Sequence, residues 1–161
     1  MSSRLNTPKS RSKAVRNVMQ ANKGVDTGPE LKLRSLVHKA GLRYAIDVRP
    51  EHEINRRADM VFRSAKVAVF VNGCFWHGCP KHYVLPRTNR RFWSEKVKRN
   101  KERDEETKRL LRRRGWKVLT LWEHEDFSLP AAKIVREVRF RRQPIARHKA
   151  AIRTIHYSPP S

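Results

Sequence analysis

The chain predicts an α/β domain. Apolar runs of strand length alternate with helically spaced segments in the order helix, strand, strand, strand, long helix, strand. The 161 residues amount to about one domain, and no internal repeat divides them. A hydrophobic share of 38% supplies one modest core.

Residues 1–23 carry Arg4, Lys9, Arg11, Lys13, Arg16 and Lys23 with no acid, and read as a basic arm with a short helix near Ala14 to Gln20. Thr27-Gly28-Pro29-Glu30 starts a helix. Proline suits the first helical positions, and the glutamate complements the positive end of the helix dipole. Leu33, Leu36, Val37 and Ala40 keep helical spacing until Gly41 closes the helix. Leu42 to Val48 reads as a strand and Pro50 to Arg57 as a polar connection. Ala58 to Phe62 and Lys66 to Val71 form a hairpin or a bent strand pair around Arg63-Ser64-Ala65. Arg91 to Arg114 is a long charged helix, with Glu95–Arg99 and Asp104–Lys108 pairs at four-residue spacing. Gly115 ends it, Trp116 to Trp122 is a strand, and Ala131 to Val138 is a last short helix. The folded domain spans 24–138, and 139–161 is a basic, Pro-containing tail, partly disordered.

Thirty-eight Lys and Arg face fifteen Asp and Glu, a formal net charge of +23 with a pI near 11.3. Such an excess repels itself unless a polyanion balances it. Nucleic acid is the natural partner, because Lys and Arg displace the counterions condensed on phosphates. A membrane surface is the competing polyanion. No apolar run approaches a spanning helix, no basic amphipathic helix shows a clean aromatic face, and no signal peptide opens the chain. Two cysteines in such a chain are thiols or metal ligands rather than a disulfide framework.

Both cysteines fall in Val71-Asn72-Gly73-Cys74-Phe75-Trp76-His77-Gly78-Cys79-Pro80-Lys81-His82, directly after an apolar run. Cys74, Cys79 and His82 have the spacing to wrap one metal ion, and zinc favours such ligands in closed tetrahedral sites. A fourth ligand is needed. His124, after the last strand, can supply it; in isolation it reads as an ordinary histidine. His77 then has two readings, a ligand or a free imidazole able to shuttle a proton. Asp59 is the one acid in the apolar segment Ala58 to Phe62. It is either a solvent-facing residue of an edge strand or a buried carboxylate with a cation, a metal or a hydrogen-bond donor waiting. With Glu30 on the first helix it matches a layout in which carboxylates hold Mg²⁺. Phe75, Trp76 and Trp93 read as core residues or as rings that enter a base stack.

These blocks resemble the very-short-patch repair endonucleases, the Vsr family of mismatch-nicking enzymes. The likeness runs from about Val18 to Glu123. It rests on Gly28-Pro29-Glu30, Leu42-Arg43-Tyr44, Ala58 to Phe62, Gly73 to Pro80, Thr88-Asn89, Phe92-Trp93, Asn100, Arg103-Asp104, Gly115 to Leu119 and Trp122-Glu123. The resemblance implies a restriction-endonuclease-like core, with a central mixed β-sheet flanked by helices, and a structural zinc. It implies an Mg²⁺-dependent endonuclease that nicks one strand 5′ to the T of a T:G mismatch. Carried over by motif, Asp59 and the Val71 backbone carbonyl hold Mg²⁺, with His77 and Glu30 catalytic beside them. Phe75, Trp76 and Trp93 form the wedge, and Cys74, Cys79, His82 and His124 hold zinc.

Three positions depart from the family pattern. Asn72 stands where a histidine is common, and Asn cannot act as a base. His124 replaces a usual cysteine, a swap zinc accepts. Ala58 precedes the catalytic acid where proline is usual. The expected partners are double-stranded DNA with a T:G mismatch and mismatch-repair proteins. The chain is expected to act as a monomer in the bacterial cytoplasm, on the nucleoid. Two competing readings remain: a related nickase in restriction or phage defence, and a zinc-stapled DNA-binding protein with weakened catalysis.

Overall fold

The computed structural model describes residues 26–143. The arm expected over 1–23, with its short helix, lies outside them, as do residues 144–161. Helix α1 (Gly28–Lys39) is followed by strands β1 (Met60–Phe62) and β2 (Val67–Asn72), helix α2 (Arg90–Arg113), strand β3 (Lys117–Trp122) and helix α3 (Ser128–Arg142). The sheet is mixed and ordered β1-β2-β3. β1 runs antiparallel to β2, with Met60 opposite Val69. β2 and β3 run parallel, from Val67 opposite Lys117 to Asn72 opposite Trp122.

Alternation along the strands splits the core between two faces. Met60, Phe62, Val67, Val69, Leu119 and Leu121 pack against Leu33 and Val37 of α1 and Ile134 and Val138 of α3. Val61, Ala68 and Val118 pack on the other side against Leu111 of α2, with Trp116 and Ile54. β2 is covered on both faces, which is why it reads as one apolar run.

Local chemistry sets the ends. In α1, Thr27 Oγ1 donates to Glu30 Oε1 (2.9 Å) and the Asp26 N–H donates to Glu30 Oε2 (3.0 Å), so one glutamate ties the helix entry. Gly41 at φ +84° turns the chain away. Gly115 at φ +81° does the same after α2.

Several expectations change. Leu42 to Val48 is not a strand: only Ala45 bridges to Val61 and Val48 to Ala58. Asp47 sits at φ +48°, a left-handed position that breaks an extended run. On α2, Glu95 pairs with Arg91 at 3.0 Å rather than with Arg99. Asp104 turns inward to Arg56 (2.9 Å) and His77 instead of pairing with Lys108, which binds Glu105 at 2.7 Å. The last helix extends beyond Val138 to Arg142, so a tail does not begin at Arg139. Arg139 donates to the Ala40 carbonyl at 3.0 Å, fastening this extra turn to the end of α1.

Leu111 is fully enclosed and is the one α2 side chain at the centre of the second core face. Leu111→Ala is expected to cost about 2–5 kcal/mol in urea unfolding. A loss below about 1 kcal/mol would mean that this face can collapse around the gap.

Candidate active site and metal centre

A cleft of about 200 Å³ opens where α1, β1, β2 and α2 meet, and Glu30, Asp59, Val71, Asn72, His77 and Asp104 line it. Asp59 leads into β1, and its Oδ2 accepts the Val71 N–H at 2.7 Å. Burial, with the Glu30 charge adding to it against the Val71 hydrogen bond, pushes its carboxyl up to about 6. Glu30 is buried in the same wall. Its oxygens accept from Thr27, the Asp26 N–H and Arg34 (3.0 Å), so it is held in one orientation.

His77 lies on the opposite lip, with Nδ1 on Asp104 Oδ2. Arg56 holds the other oxygen of Asp104 at 2.9 Å. Burial alone would raise Asp104, but His77 and Arg56 outweigh it and keep the carboxyl below its usual range. An ionised carboxylate requires a proton on Nδ1, which leaves the His77 Nε2 lone pair to exchange protons. Asp104 and Arg56 were not among the expected site residues. Arg103-Asp104 was visible as a motif, but helical spacing drew Asp104 towards Lys108. Arg56 sits in a polar connection with no signal of its own.

Cys74, Cys79, His82 and His124 converge, their ligand atoms all within 4.8 Å of one another. Cys74 Sγ lies 3.1 Å from His124 Nδ1 and 3.8 Å from His82 Nδ1. Cys79 Sγ lies 3.7 and 3.8 Å from the Nδ1 atoms of His82 and His124. A zinc ion with ordinary bond lengths in a tetrahedron sets sulfur–nitrogen edges of about 3.5 Å. The donor set therefore fits a closed site. Burial, with Cys79 and Glu123 close by, pushes the Cys74 thiol up to about 12. Without a cation Cys74 therefore stays a thiol, and a metal bound there would have to displace its proton. His77 stands outside this set and lines the cleft instead.

Gly78 seats the loop. It adopts φ +59°, and a Cβ there would lie 2.6 Å from Val97 Cγ1 on α2. Asn100 of α2 also donates to the Trp76 carbonyl at 2.8 Å. Phe75, Trp76 and Trp93 form one aromatic group, with centroids 5.2 to 6.0 Å apart. Phe75 and Trp76 are half-buried, whereas Trp93 is buried and backs the pair.

The family model described as DNA mismatch endonuclease Vsr matches residues 5–83. Type II nicking enzyme V.NaeI of Lentzea aerocolonigenes is 45% identical over 119 residues, covering 73% of this chain and 72% of that one. Type II nicking enzyme V.XorIIP of Xanthomonas oryzae is 35% identical over 118 residues, covering 72% and 84%. DNA mismatch endonuclease Vsr of Escherichia coli is 34% identical over 99 residues, covering 61% and 62%. The chain belongs to the Vsr family. It is a DNA endonuclease, and the charge excess of this Vsr-family enzyme suits a DNA substrate. No helix among the described residues is long and apolar enough to cross a membrane.

The cleft carries a stability cost. Folded Asp59 keeps its proton up to about pH 6, against its ordinary value of 3.8. Ionising it therefore weakens the fold as pH rises through that window, and the cost is full above it. Asp59→Asn imitates the neutral acid. With no Mg²⁺ added it is expected to stabilise the protein by on the order of 2 kcal/mol at about pH 8, and not at about pH 4. Urea unfolding at the two pH values reads the difference, and an equal effect at both would remove the charge explanation.

Proposed function

We propose that this Vsr-family endonuclease nicks one strand of duplex DNA 5′ to the T of a T:G mismatch, using Mg²⁺ at Asp59, in very-short-patch repair. The observation that carries the reading is one cleft shared by two carboxylates, Asp59 and Glu30, and a histidine oriented by Asp104. The half-buried Phe75-Trp76 pair immediately precedes that histidine. The three-stranded mixed sheet between helices, with Asp59 at the start of β1, supports a restriction-endonuclease-like core.

Asp59 and the Val71 carbonyl would hold Mg²⁺, an ion that takes oxygen ligands and few protein groups. Bound there, it would polarise the scissile phosphate and stabilise the developing charge. Glu30 keeps the wall anionic. His77 exchanges a proton at Nε2, a duty Asn72 cannot share. Asn72 is buried, and its carbonyl accepts the Glu123 N–H at 3.0 Å, so it joins the ends of β2 and β3. Cys74, Cys79, His82 and His124 would hold a structural zinc that fixes the loop carrying the aromatic pair and His77.

A second reading changes the biology rather than the chemistry. Several relatives carry the name type II nicking enzyme, which favours a nick tied to restriction or phage defence.

The deciding experiment compares duplexes that differ in a single T:G pair, with Mg²⁺ and with EDTA. Nicking is expected only on the mismatched duplex with Mg²⁺. Asp59→Ala should abolish it while leaving DNA affinity within about twofold, because binding charge is spread over many cations. Equal cutting of the matched duplex would sink the mismatch reading.

The aromatic pair has its own test. A T:G wobble pair unstacks cheaply, so a wedge gains selectivity from it. Trp76→Ala is expected to cut T:G nicking about tenfold or more, since a stacked ring contributes ~1–3 kcal/mol. Zinc content and melting temperature should stay close to the parent. A large drop in melting temperature would instead mark Trp76 as a packing residue.

A further inference from the structure

The end of the sheet opposite the metal knot carries a second basic surface. Three turns meet there. Lys66, after the β1–β2 turn, has its carbonyl on the Lys117 N–H at 2.8 Å and its Nζ on the Arg114 carbonyl at 3.1 Å. Arg141, in the last turn of α3, donates Nε to the Ala65 carbonyl at 2.7 Å and a terminal nitrogen to the Gly115 carbonyl. Arg142 donates to Ser64 Oγ at 3.1 Å. The turns are thus laced together by cations that use only part of their donor capacity.

Arg112, Arg113 and Lys117 stand exposed at the same end and have no side-chain partner among the described residues. Among the described residues, two acids form ion pairs with the cluster, and a third, Glu51, is taken up by the Trp116 indole at 2.6 Å. Glu53 meets Arg114 at 3.5 Å, and Glu137 meets Arg141 at 4.0 Å.

Helix dipoles explain part of this, because α2 and α3 both end here and favour cations. They do not explain Lys66 or Lys117, which lie outside helices. Lys66 also occupies a left-handed corner, φ +49°, where Gly or Asn would be less strained.

Position matters as much as charge. Val67 and Lys117 pair at this end, and Asn72 and Trp122 at the other. Five residues of strand separate them, about 17 Å, and the loop with Phe75 and Trp76 lies beyond Asn72. A duplex gripped at the aromatic loop would therefore sit at the other end of the strand pair from this surface.

We infer that the Lys66–Arg113–Lys117 surface is a second duplex-DNA site, which lets one molecule hold two DNA segments at once. The inference rests on the proposed reading that the first duplex is gripped at the aromatic loop, and not on the mismatch itself.

The test uses the full chain with short duplexes. One duplex is fixed to beads, the protein is added, and a fluorescent second duplex is offered. The parent is expected to retain the second duplex. Arg112→Glu/Arg113→Glu/Lys117→Glu is expected to retain at least about tenfold less, because several phosphate contacts are lost. Its affinity for one short duplex, and its nicking, should change less than about twofold. Arg113→Gln/Lys117→Gln gives a milder version should the reversal impair folding, and is expected to lose retention in the same sense.

Four results would overturn the inference. The first is a parent that holds no second duplex. The second is single-duplex affinity that falls in step with retention, placing these cations on the first duplex. The third is a chain ending at Gln143 that loses retention while the charge variants keep it, assigning the effect to 144–161. The fourth is a dimer without DNA in light scattering, so that two ordinary sites do the bridging.

Discussion

The parallel pairing of β2 with β3 is the constraint on which the site depends. Parallel strands need a long crossover, and α2 provides it. The pairing ends at Asn72 and Trp122, so the chain leaves both strands side by side. Glu123 can then donate to the Asn72 carbonyl and accept the Cys74 N–H at 2.6 Å. Cys74 and His124 meet although 50 residues separate them. A slip of one residue would exchange the two core faces and shift the ligands by about 3.3 Å along the strand. A metal site tolerates about 0.2 Å. Apolar packing on both faces of β2 therefore sets the ligand geometry before any ion arrives.

The two carboxylates of the cleft are treated differently by their surroundings. Glu30 is fixed by the Asp26 N–H and Thr27 hydroxyl just before its helix and by the Arg34 guanidinium one turn further on. Asp59 has the Val71 N–H and a largely dry environment. The fold thus places the less supported carboxylate where a cation would compensate it most. Across the cleft, Asp104 is shared between His77 and Arg56 and does not face that problem.

Much of this was legible in the sequence. Periodicity located both long helices and the β1–β2 hairpin, because burial there follows local spacing. The clustering of Cys74, Cys79 and His82 was legible from their spacing in one short loop, and only His124 required knowledge of strand pairing. What stayed hidden depended on tertiary geometry. Leu42 to Val48 has strand composition, yet Asp47 turns left-handed, and Arg57 Nε fastens its carbonyl at 2.7 Å. Asp104 looked like a surface helix acid because helical spacing says nothing of which loop packs above it. Trp93 is aromatic like Phe75 and Trp76, but its place on α2 turns it inward.

The same geometry explains where the net charge goes. All fifteen acids lie within the described residues, and all but Glu106 have a hydrogen-bonding or ionic partner there. Some partners are arginines, but others are backbone N–H groups and the Trp116 indole, 2.6 Å from Glu51. These contacts hold acids within the fold and leave them poorly placed to neutralise distant cations. Arg63 and Arg139 in turn donate to backbone carbonyls, which fastens loops without cancelling their charge. The segments outside the described residues contain no acid. Positive charge is thus left uncompensated over much of the surface, where it repels itself and attracts phosphate. Duplex DNA relieves that repulsion, so binding substrate and stabilising the basic fold are driven by the same electrostatic term.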